Sequence, residues 1–362
     1  MKLGIIGGGA VGRKHAEAIR AAEDEIAYVV DINAEAGALL ADEFDAVYSA
    51  TPDQLWADES VAAVVIAVPN FMHKPIAIAA LNAGKDVLVE KPLALNSTEC
   101  EEIGTVVDAT GQLLQVGFVH RYTGVGKQAK SLIDAGALGE VYFAQAVLFL
   151  RRGVPGLGRW FTNRDLSGGG TLIDVGVHLI DLSLYLLDFP EVAEVHGQTF
   201  SNFGARMEGY AYEEMWSGPP DLTGVCNVED AAHALVRFSS GAVLDLHVAW
   251  AGNYPNKFMP TSCVTVCGPE GGLAFELFGK EVQLTKQQAG KVVDESLAVA
   301  DNDFFLDQYL DFRSCIESRI LRQAGHRQAS ITQGIVDAVY RCSRENHEAT
   351  EVNRQAASLA EN

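Results

Sequence analysis

A glycine-rich turn lies between the first predicted strand and the first predicted helix, and it restricts the fold more than any other feature of the chain. The apolar run KLGII at 2–6 ends at Gly7, and Gly7, Gly9 and Gly12 have the spacing G-x-G-x-x-G. A segment with helical spacing, HAEAIRAA, follows. In such a turn the first glycine permits the sharp bend, the second lets a pyrophosphate approach the backbone, and the third lets the helix pack closely on the strand. The chain is therefore predicted to open with a βαβ unit that binds a dinucleotide.

A carboxylate occupies the position at which a βαβ unit of this kind contacts the ribose of its dinucleotide. Asp31 ends the second predicted strand, 19 residues after Gly12, and Ile32 follows it. An aspartate there accepts hydrogen bonds from a free ribose 2′-hydroxyl and repels a 2′-phosphate, and no arginine follows to neutralise that phosphate. NAD is therefore predicted as the cofactor in preference to NADP. The cofactor contacts predicted in these two turns are Gly7, Gly9, Ala10, Val11, Gly12, Asp31 and Ile32.

Apolar segments further along continue the alternation of strand and helix. This arrangement produces a parallel sheet that is covered on both faces and has right-handed crossovers. The predicted strands are 2–6, 25–31, 45–49, 61–68, 86–90 and 112–117. Residues 1–121 are therefore predicted to form a Rossmann domain with a doubly wound parallel sheet.

The pattern changes after residue 121. In AVLDLHVAW at 242–250, apolar residues recur at every second position, which predicts a strand with one buried face. This alternation dominates the rest of the chain, so 122–350 is predicted to be an α/β domain with a large, mostly antiparallel open sheet. Helices are predicted at 123–135, 169–187, 303–323 and 330–347. Residues 351–362 are predicted to be a polar, loose tail.

Two polar turns follow buried strands of the first domain. The fourth strand is followed by VPN and a nearby histidine, and the fifth is followed by EKP. Ligands of open α/β sheets bind at the carboxyl ends of the strands, so both turns are predicted to face the cofactor. Lys91 is a candidate donor to a substrate hydroxyl; the alternative is a surface lysine in a turn that starts a helix. The cofactor contacts predicted here are Val68, Pro69, Asn70, His73, Glu90 and Lys91.

An otherwise apolar helix carries three polar side chains. The sequence SGGGTLIDVGVHLID places Asp174 and His178 four residues apart and Asp181 three residues further, which puts all three on one face of a helix. A core histidine bonded to a neighbouring carboxylate is the alternative interpretation. The glycine run before the helix lets another backbone or a ligand approach closely, and it favours a functional role.

Residues near the domain junction are weaker candidates for substrate contacts. Arginines and aromatic rings in such loops suit a polyhydroxylated ligand, although packing between domains is an equal alternative for Trp160. The candidates are Arg121, Tyr122, Arg159, Trp160 and Asp181. On the second sheet, His233, Asp245 and His247 are expected on a polar outer face or at a subunit interface.

The charge of the chain argues against two classes of partner. The sequence has 48 acidic and 27 basic residues, and its formal net charge of -21 would repel nucleic acids and anionic membrane surfaces. No apolar stretch is expected to approach the roughly 20 residues of a membrane span. The 6 cysteines show neither the density nor the C-x-x-C pairs of a disulfide framework or a zinc site, so a reduced, cytoplasmic setting and no metal are expected.

Taken together, the motifs resemble those of a known family. They are GxGxxG with the following His15, PN..H at 69–73, EKP at 90–92, GFVHRY at 117–122 and GGGTLIDVGVHLID at 168–181. These strongly resemble the Gfo/Idh/MocA family of glucose-fructose oxidoreductases, inositol dehydrogenases and rhizopine catabolism proteins. The resemblance is close over residues 1–185, and VEDAAHALVRFSSGAVLDLHVAW is more loosely similar to paired central strands of that family's second domain.

The resemblance implies a fold, an activity and an assembly. It implies a Rossmann domain, a second domain for substrate binding and oligomerisation, and hydride exchange between a nicotinamide and a secondary hydroxyl of a sugar, sugar derivative or cyclitol. The lysine of EKP carries over to Lys91, and the aspartate and histidine of D-x-G-x-H carry over to Asp174 and His178. The expected partners are a polyhydroxylated small molecule and further copies of the chain, in a homodimer or homotetramer formed through the open sheet.

Residue chemistry suggests roles for these three groups. A histidine with an ordinary pKa of about 6.5 can remove a hydroxyl proton near neutral pH, so His178 is the expected acid/base. Asp174 can orient the imidazole or bond a neighbouring hydroxyl, and Lys91 can stabilise alkoxide character. Lys91 remains an alternative proton carrier. The predicted substrate contacts are Lys91, Arg121, Tyr122, Trp160, Asp174 and His178.

Three functions agree with these features. The first is an NAD(P)-dependent oxidoreductase that acts on CH–OH groups. The second is a glycoside-cleaving enzyme that retains NAD and uses transient oxidation, as some relatives do. The third is a non-catalytic, NAD-responsive regulator. The intact Lys91, Asp174 and His178 favour an enzyme, and the first function is the leading one.

Overall fold

The structure is a computed structural model, and it describes residues 1–211, 217, 219–255, 257 and 262–344. Its first sheet is parallel. The strands are β1 (Lys2–Ile6), β2 (Glu25–Val30), β3 (Val47–Ser49), β4 (Ala63–Ile66), β5 (Asp86–Val89) and β6 (Leu114–Val116). All six strands predicted for this part of the chain are confirmed, with bounds shifted by a few residues.

The strand order creates a crevice at the carboxyl edge of this sheet. The order is β3-β2-β1-β4-β5-β6, so the winding of the chain reverses between β1 and β4. Every side chain of β4 is buried, because helices cover both faces of the sheet. These helices include α1 (Ala10–Ala21), α2 (Ala34–Glu43), α3 (Asp53–Ala57), α4 (His73–Asn82) and α5 (Ser97–Thr110). Ligands of doubly wound sheets bind at such a reversal.

The second sheet is mostly antiparallel and has one open face. Its strands are β7 (Phe143–Phe149), β8 (Val192–Phe200), β9 (Ala231–Phe238), β10 (Val243–Ala249), β11 (Cys263–Cys267), β12 (Gly271–Glu276), β13 (Glu281–Gln288) and β14 (Lys291–Ala298). The order is β14-β13-β12-β11-β7-β10-β9-β8, and β10 pairs with β7 in parallel. The predicted alternation is confirmed, because Leu244, Leu246 and Val248 are buried under a helical layer that includes α6 (Gly124–Asp134). The predicted α/β class, with a parallel and a mostly antiparallel sheet, is confirmed.

The segment Arg164–Leu186 supplies the central helix of the second domain. It contains α7 (Arg164–Ser167), a π-helical turn (Leu172–Gly176) and α8 (Val177–Leu186), so the prediction of one regular helix over 169–187 is corrected. With 23 residues and a mean hydropathy of 1.2 in its most apolar window, it is long enough to cross a membrane, which corrects the expectation that no apolar stretch approaches that length. However, 78% of that window is buried inside the protein. A helix that is buried on every side is apolar all round, so burial explains the composition of this segment.

Two helices close the described chain. Helix α9 (Phe304–Ser318) packs on α1, where the Tyr309 hydroxyl donates to Asp24 at 2.6 Å. The helix predicted over 303–323 is too long, because Arg319 adopts a left-handed conformation with φ 54° that ends α9.

The last helix connects the two sheets. Helix α10 (His326–Arg344) packs on both α5 and β8. The predicted tail at 351–362, and the end of the helix predicted to reach 347, lie outside the described residues. We propose that the first domain ends at residue 121 and that the second begins at residue 122. Helix α9 lies in the second part of the chain but packs on the first domain.

Candidate active site

The glycine-rich turn follows β1 and leaves space beside the first turn of α1. Gly7 has φ 107°, and a Cβ there would lie 2.2 Å from the carbonyl oxygen of Ala67. A Cβ on Gly12 would lie 1.9 Å from the Gly7 carbonyl oxygen, so α1 packs directly on the turn. At Gly9 nothing lies within 4 Å of an added Cβ, so open space borders the backbone. This is the cradle that a pyrophosphate needs at a helix N-terminus.

Asp31 lies beside this cradle, at the end of β2. Its carboxylate accepts hydrogen bonds from the backbone amides of Gly8 at 2.6 Å and Asn33 at 2.7 Å. These bonds fix the carboxylate next to the turn, in the position that a dinucleotide ribose requires. Ile32 is 95% exposed, so a longer side chain fits there without repacking the core.

Exchanging the charge at this position is expected to change the cofactor preference. In the double variant Asp31→Ser with Ile32→Arg, the carboxylate that repels a 2′-phosphate is lost and a guanidinium that can pair with it is gained. The Kd for NADPH should fall and that for NADH should rise, each by about tenfold. Nicotinamide fluorescence titrations measure both constants. Ile32→Arg alone is the matched control, since it retains the carboxylate, and an unchanged ratio in the double variant would contradict the role of Asp31.

The turns after β4 and β5 are joined by buried side chains. The His73 ring lies between two carbonyl oxygens, with Nε2 2.8 Å from Val68 and Nδ1 2.7 Å from Pro92, and burial lowers its pKa. Asn70 is buried and donates from Nδ2 to the carbonyl oxygen of Ser167 at 2.8 Å. His73 therefore fixes the spacing of the two turns, and Asn70 ties the first domain to the second.

Lys91 directs its ammonium group at Asp174. Nζ donates to Oδ1 of Asp174 at 2.9 Å and to its carbonyl oxygen at 3.0 Å. The preceding Glu90 accepts from the Lys91 backbone amide at 3.2 Å and lies 2.8 Å from Nε2 of His15 on α1. Burial raises the pKa of Glu90, but the His15 hydrogen bond and nearby positive charges outweigh this effect, and the pKa is lowered. The ionised Glu90 thus anchors the backbone of Lys91.

Asp174 lies in the π-helical turn, and both of its carboxylate oxygens have partners. Oδ1 accepts from Lys91, and Oδ2 accepts from Nε1 of Trp250 at 3.1 Å. Widened turns of this kind are frequent at functional sites, because they change the direction in which side chains leave the helix. The carboxylate is therefore oriented by one side chain from each domain.

A buried carboxylate, Glu229, holds the start of this helical segment. Its Oε1 accepts from the amides of Gly170 and Leu172, both at 3.0 Å, and from the hydroxyl of Tyr340 at 2.8 Å. Burial raises the pKa of Glu229, although these hydrogen bonds oppose the shift. The glycine run permits the close approach, since a Cβ on Gly170 would lie 1.9 Å from the Glu229 carbonyl oxygen.

His178 lies near the start of α8, where its ring packs edge-to-face on His120 with centroids 4.8 Å apart. Its Nδ1 is buried and has no hydrogen-bond partner among the described residues. Burial, the charge of Lys91 and the proximity of His120 together hold the pKa of His178 well below its usual value. The lowered pKa favours the neutral ring, which is the form that can accept a proton.

Lys91, Asp174 and His178 line one cavity between the two domains, with a volume of about 450 Å³. A cavity of this size suits a small molecule. It is lined by Gly9, Ala10, Val11, Ala67, Val68, Pro69, Asn70, Glu90, Lys91, Val119, Gly156, Arg159, Trp160, Phe161, Asp174, His178, Ser217 and Phe305. The predicted cofactor residues that do not line it are Gly7, Gly12, Asp31, Ile32 and His73. A second cleft of about 510 Å³, lined mostly by α7 and α10, contains none of the predicted site residues.

Two predicted substrate contacts and one weaker candidate lie away from this cavity. Arg121 is buried and donates from Nε and Nη2 to the Asp181 carboxylate at 2.8 and 2.5 Å. The Tyr122 hydroxyl donates to Asp311 at 2.7 Å. The geometry argues against direct substrate contact for Arg121 and Tyr122, because substrate would have to displace these internal partners. Asp181 does not join Asp174 in the cavity, since a buried guanidinium requires a carboxylate partner.

Several residues that sequence reasoning did not assign contribute to the site. They are His15, His120, Phe161, Glu229, Trp250 and Phe305. For two of them the sequence did contain a signal, because His15 and His120 lie inside the motifs that carry the family resemblance. The Glu229 and Trp250 contacts join segments that lie far apart in the chain, and periodicity carries no information about such contacts.

The polar residues predicted on the outer face of the second sheet lie there together. Nε2 of His247 is 2.8 Å from Oδ1 of Asp245, and the His233 and His247 ring centroids are 4.2 Å apart.

Across the part of the chain that is described, no group of three or more histidine, cysteine, aspartate or glutamate side chains is arranged to hold a metal ion.

The fold and the cavity define a class: two-domain oxidoreductases with an NAD-binding domain. Comparisons with known proteins agree. Residues 1–118 match "Oxidoreductase family, NAD-binding Rossmann fold", and residues 127–274 match "GFO/IDH/MocA C-terminal domain". The chain therefore belongs to the Gfo/Idh/MocA family, which confirms the resemblance. It is an oxidoreductase whose cofactor is NAD, and the open space at Gly9 and the placement of Asp31 fit that cofactor.

Individual relatives agree with this assignment. The D-glucoside 3-dehydrogenase of Escherichia coli (strain K12) is 29% identical over 343 residues, which is 94% of this chain and 94% of that protein. The scyllo-inositol 2-dehydrogenase (NAD(+)) of Bacillus subtilis (strain 168) is 30% identical over 229 residues, 62% of this chain and 58% of that protein. The solved structure of levoglucosan dehydrogenase in complex with NADH has a TM-score of 0.82 at 22% identity and covers 95% of this chain and 97% of its own. This last likeness shows the fold.

Proposed function

We propose that the protein transfers hydride between NAD and a secondary hydroxyl of a sugar, sugar derivative or cyclitol. The observation that carries the proposal is the convergence of Lys91, Asp174 and His178 on one cavity with the turns of the dinucleotide domain. The relatives that are dehydrogenases of a D-glucoside and of scyllo-inositol make pyranosides and cyclitols the first candidates.

His178 is the acid/base of this proposal. Its neutral ring takes the hydroxyl proton of the alcohol as the neighbouring C–H bond breaks, and it returns that proton in the reductive direction. When bound, NAD supplies the acceptor for the hydride. General base catalysis of this kind contributes typically about 10²- to 10⁴-fold. The low pKa of His178, caused first by burial and then by the charge of Lys91, keeps the base unprotonated in the resting enzyme.

Lys91 stabilises the oxygen of the reacting alcohol, and Asp174 positions Lys91. Two donations from the Lys91 ammonium go to Asp174, and a third N–H remains for a substrate oxygen, where it stabilises developing alkoxide charge. Asp174 holds the ammonium in place. This pairing favours His178 over Lys91 as the proton carrier, since Lys91 already acts as a charged donor.

A substrate panel tests the function. Methyl glucosides, levoglucosan and inositols are each incubated with the protein and NAD, and the absorbance of the reduced nicotinamide is followed. Formation of NADH with at least one compound is expected. Release of p-nitrophenol from p-nitrophenyl glycosides without NADH accumulation would instead indicate glycoside cleavage with retained NAD. Ligand-dependent NAD binding without either signal would indicate a regulator.

We propose that the protein self-associates through the open face of its second sheet, in a cytoplasmic setting where its free cysteines stay reduced. The outward side of β9 exposes Leu235, which pairs with Asp245 of β10, and β8 exposes Phe200 at the same face. An apolar contribution at the centre of an otherwise polar face is typical of subunit contacts.

Charge placed on this face is expected to separate the subunits. The unmodified protein should have the mass of a dimer or tetramer in light scattering, and Leu235→Lys should shift it toward the monomer, because a buried unpaired ammonium is costly. Leu39→Lys, at an exposed position of α2, is the control and should leave the mass unchanged. A monomeric wild type at micromolar concentration would contradict the proposal.

A further inference from the structure

Two aromatic rings form a stacked pair in the wall of the cavity. The ring centroids of Trp160 and Phe161 are 3.7 Å apart and their planes are inclined by 27°. Both side chains are half-buried and line the cavity that also contains Lys91 and His178. We call this pair, Trp160 and Phe161, the aromatic platform.

The residue after the platform fixes it to a second loop. Thr162 is fully buried, and its Oγ1 accepts from the Gly158 amide at 2.9 Å and donates to the Val225 carbonyl oxygen at 2.7 Å. The amide of Asn227 donates to the Thr162 carbonyl oxygen at 3.0 Å. The short 3₁₀ turn that carries both rings is thus bonded to the second loop through side chain and backbone.

Glycines bring the backbones of these two loops into direct contact. Gly158 has φ 81°, and a Cβ there would lie 1.8 Å from the carbonyl oxygen of Asp221. A Cβ on Gly224 would lie 1.8 Å from the Gly158 carbonyl oxygen. Such close approach leaves the loops little freedom, so the platform is ordered before a ligand arrives and costs little conformational entropy on binding.

The wall of the cavity contains both polar and apolar side chains. The platform supplies apolar surface together with Val119. The charged and titratable groups that line the cavity are Glu90, Lys91, Arg159, Asp174 and His178. A ligand that satisfies both must present hydroxyls in one direction and carbon-bound hydrogens in another. The negative face of an aromatic ring attracts such weakly positive hydrogens.

We infer that the aromatic platform binds the C–H face of a six-membered ring whose hydroxyls are all equatorial; this inference rests on the proposed function and names its substrate class. In such a ring the hydroxyls lie at the rim, where Lys91 and His178 reach them, and each face presents axial hydrogens. The hydroxyl held by Lys91 and His178 fixes which of the two ring faces meets the platform, and an axial hydroxyl on that face would lose its hydrogen bonds to water without gaining a partner. The platform therefore selects the configuration of the ring.

Matched stereoisomers test the inference. The wild type should favour methyl β-D-glucopyranoside over methyl β-D-galactopyranoside, and scyllo-inositol over myo-inositol, by about tenfold or more in kcat/KM, since one unpaired hydroxyl discriminates by at least that amount. Within each pair the compounds differ by one axial hydroxyl. A ratio near one in both pairs would overturn the inference while leaving the proposed function intact.

Variants of the platform separate its role from the chemistry. Trp160→Leu should raise KM for the favoured isomer by about tenfold with a smaller change in kcat, and should bring the isomer ratio toward one, because the platform binds substrate and transition state alike. Trp160→Phe should retain most of the preference. Tyr142→Leu removes an exposed aromatic ring outside the cavity and should change neither constant. An unchanged isomer ratio in Trp160→Leu, with NADH affinity intact, would exclude the platform as its source.

Calorimetric binding of the same isomers to the NADH complex gives a readout without turnover. Stronger binding of the all-equatorial isomer is expected even if no compound of the panel reduces NAD. That result would support the inference and refute the proposed reaction, whereas equal binding of both isomers would overturn the inference alone.

Discussion

In the variant His178→Asn, kcat is expected to fall by about 10²- to 10⁴-fold, the contribution typical of a positioned general base. Asparagine retains a polar side chain of similar size but cannot accept the hydroxyl proton. NADH binding should change little, because the hydrogen bonds that hold Asp31 and the glycine-rich turn in place are made without His178. Steady-state rates at saturating substrate and a fluorescence titration with NADH measure the two quantities. Wild-type turnover in this variant would exclude His178 as the base.

The pH dependence of kcat/KM gives an independent test of the same assignment. The pKa of His178 is lowered by burial first and by the charge of Lys91 second, so the base stays neutral as the pH falls below its usual pKa of about 6.5. Activity is lost only when the pH passes below the lowered pKa. The acidic limb of the profile should therefore lie below pH 6.5, and His178→Asn should lack it. A wild-type limb above that value would contradict the assignment.

The parts of the fold that were predictable are those whose cause is local in the chain. The alternation of apolar strands and helices indicated the parallel sheet, and the period of two in AVLDLHVAW indicated the buried face of β10. The glycine spacing and Asp31 indicated the cofactor site, because each glycine meets a steric demand of its own turn. Local spacing also predicted Asp174 and His178 as candidates, and both line the cavity.

The parts that were not predictable depend on contacts between distant segments. The stripe formed by Asp174, His178 and Asp181 follows from spacing, but Asp181 instead pairs with Arg121, which arrives from another domain. The low pKa of His178 depends on burial and on Lys91, and neither is visible in the sequence around the histidine. The spacing of residues predicts which side chains share one face of a helix. It does not predict which residues pack against that face.

The Lys91 contact with Asp174 joins the two domains at the proposed reacting centre. EKP lies at the carboxyl end of a Rossmann strand, and Asp174 lies on the central helix of the second domain. Their hydrogen bond, together with the one from Asn70 to Ser167, sets the distance between the turns of the first domain and the helical segment of the second. Catalysis of hydride transfer requires this spacing, because the reacting atoms must be held in near-attack geometry.

Replacing Lys91 by methionine is expected to reduce kcat/KM by about 10²- to 10³-fold, the loss typical when one donor to a developing oxyanion is removed. Methionine fills a similar volume, so the loss reports the ammonium group rather than a cavity. The acidic limb of the pH profile should move to higher pH, because removing the positive charge of Lys91 removes one cause of the low pKa of His178. NADH titration verifies that the fold and the cofactor site persist.

The double variant Lys91→Met with Asp174→Asn tests whether the pair acts as a unit. The Asp174 carboxylate accepts one of the two hydrogen bonds that the ammonium donates to this residue, so once Lys91 is absent, Asp174→Asn should cost little more. The combined loss in kcat/KM should then be well below the product of the two single losses, since residues in one network are not additive. Multiplicative losses would mean that Asp174 acts on the substrate independently, by accepting a hydrogen bond from a second substrate hydroxyl. In that case the ammonium would be oriented by the Lys91 backbone and the Glu90 and His15 contact behind it.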